Sequence, residues 1–271
     1  MTAPPYAEVI GDPIAQSKSP LIHGFWLDAL GIAADYRKHH VTADNLPAYI
    51  AARCDDPAWR GCNVTVPHKI AALDLVEDRG DVRGSIGAIN TIIRAEDGAL
   101  IGTNTDAAGF YSPLADVDLA DAPVTVIGAG GAARAILFAL SRIGVGEVTV
   151  MNRSPLKAAG LLSAFGLKGK ALPLGAAAPP AALLVNASTL GMAGQPPLDL
   201  DLSALPDDAI VYDIVYAPLE TALLAAARAR GLATIDGLEM LVGQAAVAFE
   251  LFFGVAPPSD RDEELRDLLT A

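Results

Sequence analysis

One stretch constrains this chain more than any other: Val124-Thr125-Val126-Ile127-Gly128-Ala129-Gly130-Gly131-Ala132-Ala133-Arg134-Ala135-Ile136-Leu137-Phe138-Ala139-Leu140. An apolar, β-branched run stops at glycines, and an alanine-rich helical pattern starts at once. The order is strand, tight turn, helix. Gly128, Gly130 and Ala133 meet the G-x-G-x-x-G/A spacing. Such glycines let the backbone turn sharply and let a phosphate approach the helix start. Unpaired N–H groups and partial positive charge there suit a pyrophosphate. The bland alternative is an ordinary strand-to-helix turn. The flanking strand and helix favour a dinucleotide site, with Gly128, Ala129, Gly130, Gly131 and Ala132 as its backbone cradle.

The next strand selects the cofactor. Glu147–Met151 reads as that strand, and Asn152-Arg153-Ser154 follows it. A carboxylate near this point holds the ribose 2′-hydroxyl of NAD, whereas an arginine suits a 2′-phosphate. Arg153 stands here and no acid does, so the expected cofactor is NADP. The competing explanation is an exposed arginine in a loop.

Upstream, short apolar strands alternate with helices. Tyr6–Ile10 reads as a strand broken by Gly11-Asp12-Pro13, and Leu21–Leu30 as a helix stopped by Gly31. Ser19 before Pro20 reads as an N-cap with proline at the first helical position. Ser17 has no such local role, and two hydroxyls with Lys18 at a helix start also suit a carboxylate. Tyr36–Val41 is a strand on which His39 and His40 face opposite ways, so they read as surface residues. Asp44–Arg53 reads as a helix, with Trp59 packed in the loop after it. Val64–Val66 is a strand and Pro67 starts a helix, which puts Lys69 in a first turn. A cation there opposes the helix dipole, and the dipole eases its deprotonation. Lys69 is therefore a candidate for proton transfer, against the alternative of a solvated lysine. Gly87–Arg94 is a further strand. Asn90, Thr105 and Asp106 are polar ends of apolar segments, where α/β sheets bind ligands; Asp106 also reads as a helix cap. These elements predict a substrate domain over residues 1–106, with a hinge near Thr105–Ala108.

Downstream, the Rossmann-like domain extends over 107–236 through Asn186–Met192 and Ile210–Tyr216, with Ala171–Leu184 as a loop plus short helix. Leu219–Arg230 reads as a helix and Thr234-Ile235 as a last strand. A long helix runs from Asp236-Gly237-Leu238 to Phe253, and Gln244 within it needs a partner if buried. Asp260–Leu269 is a charged amphipathic helix. Residues 237–271 are expected to return to the substrate domain. The fold class is thus α/β in two domains.

Composition excludes several classes. The 271 residues carry a formal net charge of −13 with no basic stripe, which argues against nucleic acid. No apolar run reaches a membrane span and no secretory signal is visible, so a cytoplasmic location without membrane is expected. Two cysteines, Cys54 and Cys62, make neither a zinc spacing nor a disulfide framework and read as buried thiols. No metal site is expected.

Assembled in order, these pieces resemble the shikimate dehydrogenase family over nearly the whole chain. They are Gly11–Pro20, Asn63–Lys69, Gly87–Thr91, Asn104–Asp106, Gly128–Ala132, Asn152–Ser154 and Asp236–Ala246. Each is modest alone and the series is specific. The resemblance implies NADP-dependent interconversion of shikimate and 3-dehydroshikimate in aromatic amino-acid biosynthesis. It makes Lys69 and Asp106 the catalytic pair. It gives the substrate carboxylate to Ser17 and Ser19 with Tyr216, and the ring hydroxyls to Thr65, Asn90 and Gln244. It assigns the 2′-phosphate clamp to Asn152 and Arg153, a cofactor-binding place to Ser154 beside them, and cofactor-side positions to Asp81, Thr189, Ile214 and Met240. Gln16 replaces a histidine frequent in the family, and Glu239 stands where many members have glycine.

The chemistry agrees with the residues. A hydride leaves the carbinol carbon, so the hydroxyl proton leaves too, and a lysine–aspartate pair serves as acid and base. Two rivals stand beside this reading. One is a quinate-using dehydrogenase with NAD, disfavoured by Arg153 and Ser19. The other is a non-catalytic NADP-sensing protein, disfavoured by Lys69 and Asp106. The sequence leaves the oligomeric state open, a homodimer included.

Overall fold

A computed structural model describes residues 3–271. The chain forms two units, one from residues up to Thr105 together with Val242–Ala271, the other from Asp106–Leu241.

In the first unit the elements are β1 (Tyr6–Gly11), α1 (Ser19–Leu30), β2 (Asp35–His40), α2 (Leu46–Cys54), β3 (Trp59–Val64), the short α3 (Val82–Ser85), β4 (Thr91–Arg94) and β5 (Leu100–Thr103). They make a five-stranded sheet in the order β2-β1-β3-β4-β5. β1 pairs in parallel with β2 and β3, while β3–β4 and β4–β5 are antiparallel. The mixed sheet follows from the connections. Helices carry the chain between the parallel strands, and the Glu96-Asp97-Gly98 turn lets β4 and β5 form a hairpin. Gly31, with φ 63°, ends α1, where its N–H donates to Asp28 O. Trp59 is fully buried, though it lies on β3 rather than in a loop.

The second unit carries α4 (Asp106–Tyr111), β6 (Val124–Ile127), α5 (Gly131–Ile143), β7 (Val148–Asn152), α6 (Pro155–Ala164), β8 (Gly169–Pro173), β9 (Leu183–Asn186), β10 (Ile210–Asp213), α7 (Ala222–Ala229) and β11 (Ala233–Ile235). Its six-stranded sheet has the order β11-β10-β9-β6-β7-β8, and its pairings are parallel. This is the doubly wound order of a Rossmann fold, reversing between β6 and β9. A parallel sheet covered on both faces needs strands that are apolar throughout. β6 and β9 are accordingly buried at every position. Val124, Val126, Val148, Val150, Leu183 and Val185 pack with Ile136 and Leu140 of α5. The alternate residues Ile127, Met151, Leu184 and Val211 pack with Leu223 and Leu224 of α7.

α8 (Gly237–Phe253) gives Gly237–Leu241 to the second unit and its remainder to the first, followed by α9 (Asp262–Thr270). In the first unit Phe249 and Phe252 of α8 join His23 and Trp26 of α1 and Tyr36 of β2 in an aromatic cluster. Leu265 and Leu269 are the buried face of α9. Among the described residues no helix is long and apolar enough to cross a membrane, and no group of three or more His, Cys, Asp or Glu is placed to hold a metal ion.

Four local expectations are corrected. The strand expected at Val64–Val66 is Trp59–Val64, and residues 66–70 form turns that lead to a 3-10 segment at Ala71–Leu75. Lys69 is therefore not in the first turn of an α-helix. Residues 169–173, outside or at the margin of the expected loop, form β8. Ser19 is not the cap of α1: that position is Lys18, with helical φ and no side-chain cap bond. Of the two cysteines only Cys62 is buried; Cys54 is exposed at the end of α2.

Candidate active site

The first unit gathers polar side chains at the ends of its strands. Ser17 and Ser19 are buried at the start of α1, and Ser17 Oγ donates to Ser19 Oγ at 3.3 Å. With the capping role removed, the Ser19 hydroxyl has no task in holding the helix. Asn90, just before β4, is 2% exposed. Its Oδ1 accepts from Thr105 N at 2.7 Å and Thr91 Oγ1 at 3.1 Å. Its Nδ2 donates to Thr105 Oγ1 at 2.9 Å and to Gln244 Oε1 at 3.2 Å. The partner that a buried Gln244 requires is thus Asn90, across 154 residues of sequence. Behind them, Asn63 Nδ2 donates to Thr91 Oγ1 at 3.0 Å, and the Tyr36 phenol donates to Asn63 Oδ1. Burial holds the Tyr36 phenol well above its ordinary range.

Thr65 and Lys69 lie on the loop that leaves β3. Thr65 N donates to Ile10 O at 3.0 Å, which ties the loop to β1. A β-carbon on Gly11 would stand 2.6 Å from Thr65 Cγ2, so only glycine fits beneath this threonine. His68 is buried, and its Nε2 meets Val41 O at 2.7 Å. The carbonyl of Lys69 accepts from Ile89 N at 2.8 Å. The backbone of the lysine is therefore held beside the segment that ends in Asn90, and its side chain is half-buried. Asp81 also belongs to this unit, exposed and left-handed at φ 52°, ahead of α3.

The second unit carries the dinucleotide turn. Gly128 has φ 112°, and a β-carbon there would lie 2.8 Å from Ala187 O. Gly130 precedes α5 with no side-chain cap bond, is exposed, and has no atom within 4 Å of a would-be β-carbon. An open helix start without a side-chain cap, approached over a bare glycine, fits a pyrophosphate. Ala129 is buried, while Gly131 and Ala132 are half-buried in the first turn. Asn152 and Arg153 follow at the end of the adjacent strand β7, with Arg153 exposed. Ser154 caps α6 by accepting from Lys157 N, and Asn152 Nδ2 bonds its carbonyl at 3.0 Å. The residues present thus fit an anionic dinucleotide with a further phosphate beside β7.

At the ends of β9 and β10 stands a buried cluster. Asp213 accepts from Thr221 Oγ1 at 2.7 Å, Asn186 Nδ2 at 2.9 Å and Val215 N at 3.0 Å. Burial pushes its carboxyl up, while these donors pull it down. Asn186 Oδ1 in turn accepts from Ser188 Oγ at 2.7 Å. The cluster fixes the loops that carry Thr189, exposed, and Ile214 and Tyr216, both half-buried. Met240 is 6% exposed and packs in the core with Phe110 and Tyr212, so its side chain is a packing group first. Asp106 opens α4 and is buried, a favourable place for an anion at a helix start.

Of the sequence candidates, Ser17 and Ser19 form one pair, and Asn90 and Gln244 another. Tyr36, Asn63 and Thr91 escape a reading by residue type, because each sits alone among unremarkable neighbours in the sequence. The only signal available for Asn63 is its place in the Asn63–Lys69 motif.

The chain is similar to known proteins over both units. Residues 9–92 match the family described as Shikimate dehydrogenase substrate binding domain. Residues 113–178 match Shikimate / quinate 5-dehydrogenase, and residues 237–264 match Shikimate 5'-dehydrogenase C-terminal domain. The shikimate dehydrogenase (NADP(+)) of Sphingopyxis alaskensis is 73% identical over 269 residues, covering 99% of this chain and 98% of that protein. The solved shikimate 5-dehydrogenase of Thermus thermophilus, in complex with NADP(H) and shikimate, has TM-score 0.85 at 38% identity, over 97% of this chain and 99% of that one. The ligand-free 5-ketofructose reductase of a Gluconobacter strain has TM-score 0.86 at 29% identity, over 99% of both chains. The fold is thus shared with a reductase named for another compound, whereas the family matches cover both units. The chain belongs to the shikimate dehydrogenase family.

Proposed function

We propose that this protein is an NADP-dependent oxidoreductase that reversibly reduces 3-dehydroshikimate to shikimate, in the pathway to aromatic amino acids. The observation that carries it is near-full-length identity to a shikimate dehydrogenase (NADP(+)), joined to a sheet-end polar site in one unit and a dinucleotide turn in the other. Residues 1–106 with the helices of 237–271 serve the substrate, and residues 107–236 serve the cofactor.

Bound NADP+ supplies the hydride acceptor; the chain supplies position and proton transfer. Ser17 and Ser19, with Tyr216, take the substrate carboxylate through neutral donors. Thr65, Asn90 and Gln244 orient the ring hydroxyls. As the carbinol carbon loses its hydride, the hydroxyl proton passes to the Lys69 and Asp106 pair, and it returns from them in the reverse direction. Arg153, with Asn152, would hold the 2′-phosphate, a charge-assisted contact absent for NAD, and Ser154 would bind the cofactor beside them. The backbone of Gly128–Ala132 takes the pyrophosphate, with Asp81, Thr189, Ile214 and Met240 on the cofactor side. The reaction is placed in the cytoplasm, with a homodimer as the assembly to be read by light scattering.

The test is absorbance at the nicotinamide band with shikimate or quinate, each with NADP+ or NAD+. Turnover is expected to be highest with shikimate and NADP+. Lys69→Ala is expected to lower kcat by about 10²–10⁴ while shikimate still binds. A Lys69→Ala enzyme with near-normal kcat ends the acid–base assignment, and faster turnover of quinate with NAD+ ends the substrate and cofactor assignment.

A further inference from the structure

Resting on the functional reading above, we infer that Tyr36 and Thr91 are positioning residues that order the protons of the Asn90–Gln244 amide pair through Asn63.

The physics is a count of donors. A protonated phenol has a single hydrogen, and that of Tyr36 goes to Asn63 Oδ1. An amide has a donor end and an acceptor end, so this bond turns Asn63 Nδ2 toward Thr91 Oγ1, at 3.0 Å, and Asn90 O, at 3.4 Å. A hydroxyl that accepts from an amide must send its own proton elsewhere, and Thr91 sends it to Asn90 Oδ1 at 3.1 Å. With Thr105 N on the same oxygen, Asn90 Nδ2 is directed to Thr105 Oγ1 and Gln244 Oε1. Gln244 thereby has its carbonyl end assigned. Tyr36, whose phenol oxygen also bonds the Ser19 hydroxyl, starts the chain with its donation to Asn63.

The setting supports such a relay. Tyr36 is 8%, Asn63 5%, Thr91 0% and Asn90 2% exposed, so water does not scramble the order. The Tyr36 ring is clamped flat on His23, with centroids 3.9 Å apart and planes 3° from parallel. Asn63 and Asn90 lie on adjoining segments because β3 pairs with β4, Asn63 opposite Thr91. Neither Tyr36 nor Thr91 needs to touch substrate to act. Each decides which face of an amide is presented.

The experiment compares Tyr36→Phe, Thr91→Val, Thr91→Ser and the Tyr36→Phe/Thr91→Val double variant with wild type, in steady-state assays with shikimate and NADP+. At constant shape, Tyr36→Phe removes the bonds of the phenol to Asn63 and Ser19, and Thr91→Val removes both bonds of its hydroxyl, to Asn63 and Asn90. Each is expected to raise the shikimate KM about 3–10-fold while kcat and the NADP+ KM stay within about twofold. The double variant is expected to be no worse than the worse single, and Thr91→Ser, which keeps the hydroxyl, to match wild type. Unchanged shikimate KM in both single variants overturns the proposal. So do effects that multiply in the double, or a Thr91→Ser as impaired as Thr91→Val. If Tyr36→Phe does not fold, the Thr91 pair decides. A wild type inert toward shikimate refutes the functional reading alone. The relay is then read from the side-chain amide NMR signals of Asn63 and Asn90: a shift of the Asn90 signals in Tyr36→Phe upholds it, and no shift overturns it.

Discussion

Replacing His23 by phenylalanine should leave the protein at least as stable at neutral pH and remove much of its sensitivity to acid. His23 is fully buried on α1, stacked on Tyr36, edge-on to Trp26 and close to parallel with Phe249. Both ring nitrogens lack a hydrogen-bond partner among the described residues. Burial pushes its pKa down from 6.5 to about 3. In the unfolded chain the same ring takes a proton near pH 6.5, so below that pH the unfolded state binds more protons and stability falls as pH falls. The loss begins near 6.5 and continues toward 3. Between pH 7 and pH 5 it amounts to about 2 kcal/mol, at 1.36 kcal/mol per pH unit once the unfolded ring is charged. Phenylalanine fills a similar space, leaves no polar atom unmet and does not titrate. Urea unfolding of both proteins at the two pH values is the assay. It is followed by tryptophan fluorescence, since the two tryptophans, Trp26 and Trp59, lie in the first unit. The other histidines, His39 beside Glu8, His40 on Asp12 and His68 on Val41 O, are present in both proteins and cancel in the difference. Equal pH dependence in the two proteins would falsify the argument. So would a loss of more than about 2 kcal/mol at pH 7, which would mean that the imidazole has a strong partner after all.

Three further outcomes follow from the site. Arg153→Ala should raise the NADP+ KM about 10–100-fold, the worth of one charge-assisted phosphate contact, and leave NAD+ turnover unchanged; equal loss with both cofactors would remove Arg153 from the phosphate. Gly128→Ala puts a methyl 2.8 Å from Ala187 O at φ 112°, so it should abolish NADP+ binding, read by fluorescence titration, and lower the melting temperature; normal NADP+ affinity would sink the assignment of this turn. Ser19→Ala should weaken shikimate binding with almost no change in melting temperature, because the helix is not capped by this hydroxyl; a marked drop in melting temperature with normal binding would reverse that order.

The second unit is the more legible half. Its strands are continuous apolar runs and its glycines stand at forced turns, so local pattern and global fold agree. β8 escapes a sequence reading because Gly169-Lys170-Ala171-Leu172-Pro173 is an edge strand, held by β7 on one side and free of the need to be apolar. Lys69 stands out in the sequence for a reason that the structure removes. The expected helix at Pro67 is a turn, and the lysine is held instead by Ile89 N, a contact that no local pattern reports. Ser19 competes with a capping role because serine before proline usually caps, yet the helix begins one residue earlier. Gln244 announces itself by needing a partner, and the sequence has no means of naming Asn90 as that partner. The Tyr36–Asn63–Thr91 relay joins β2, β3 and β4, so it exists only once register is set.

The first unit is discontinuous in sequence, and that shapes how the molecule is made. Gln244, Phe249 and Phe252, which complete its polar site and its aromatic cluster, leave the ribosome after the whole of Asp106–Leu241. At about 5–20 residues per second, the strands of the first sheet wait roughly 7–27 s for the helix that covers them. During that interval His23, Tyr36 and Gly61 present an uncovered apolar face, since Gly61 is so close to Phe252 that a β-carbon there would lie 2.6 Å from its ring. The second unit, continuous from Asp106 to Leu241, has no such wait. A nascent chain stalled before Val242 therefore offers chaperones an open first sheet, and the Asn90–Gln244 pair is among the last contacts of that unit to form.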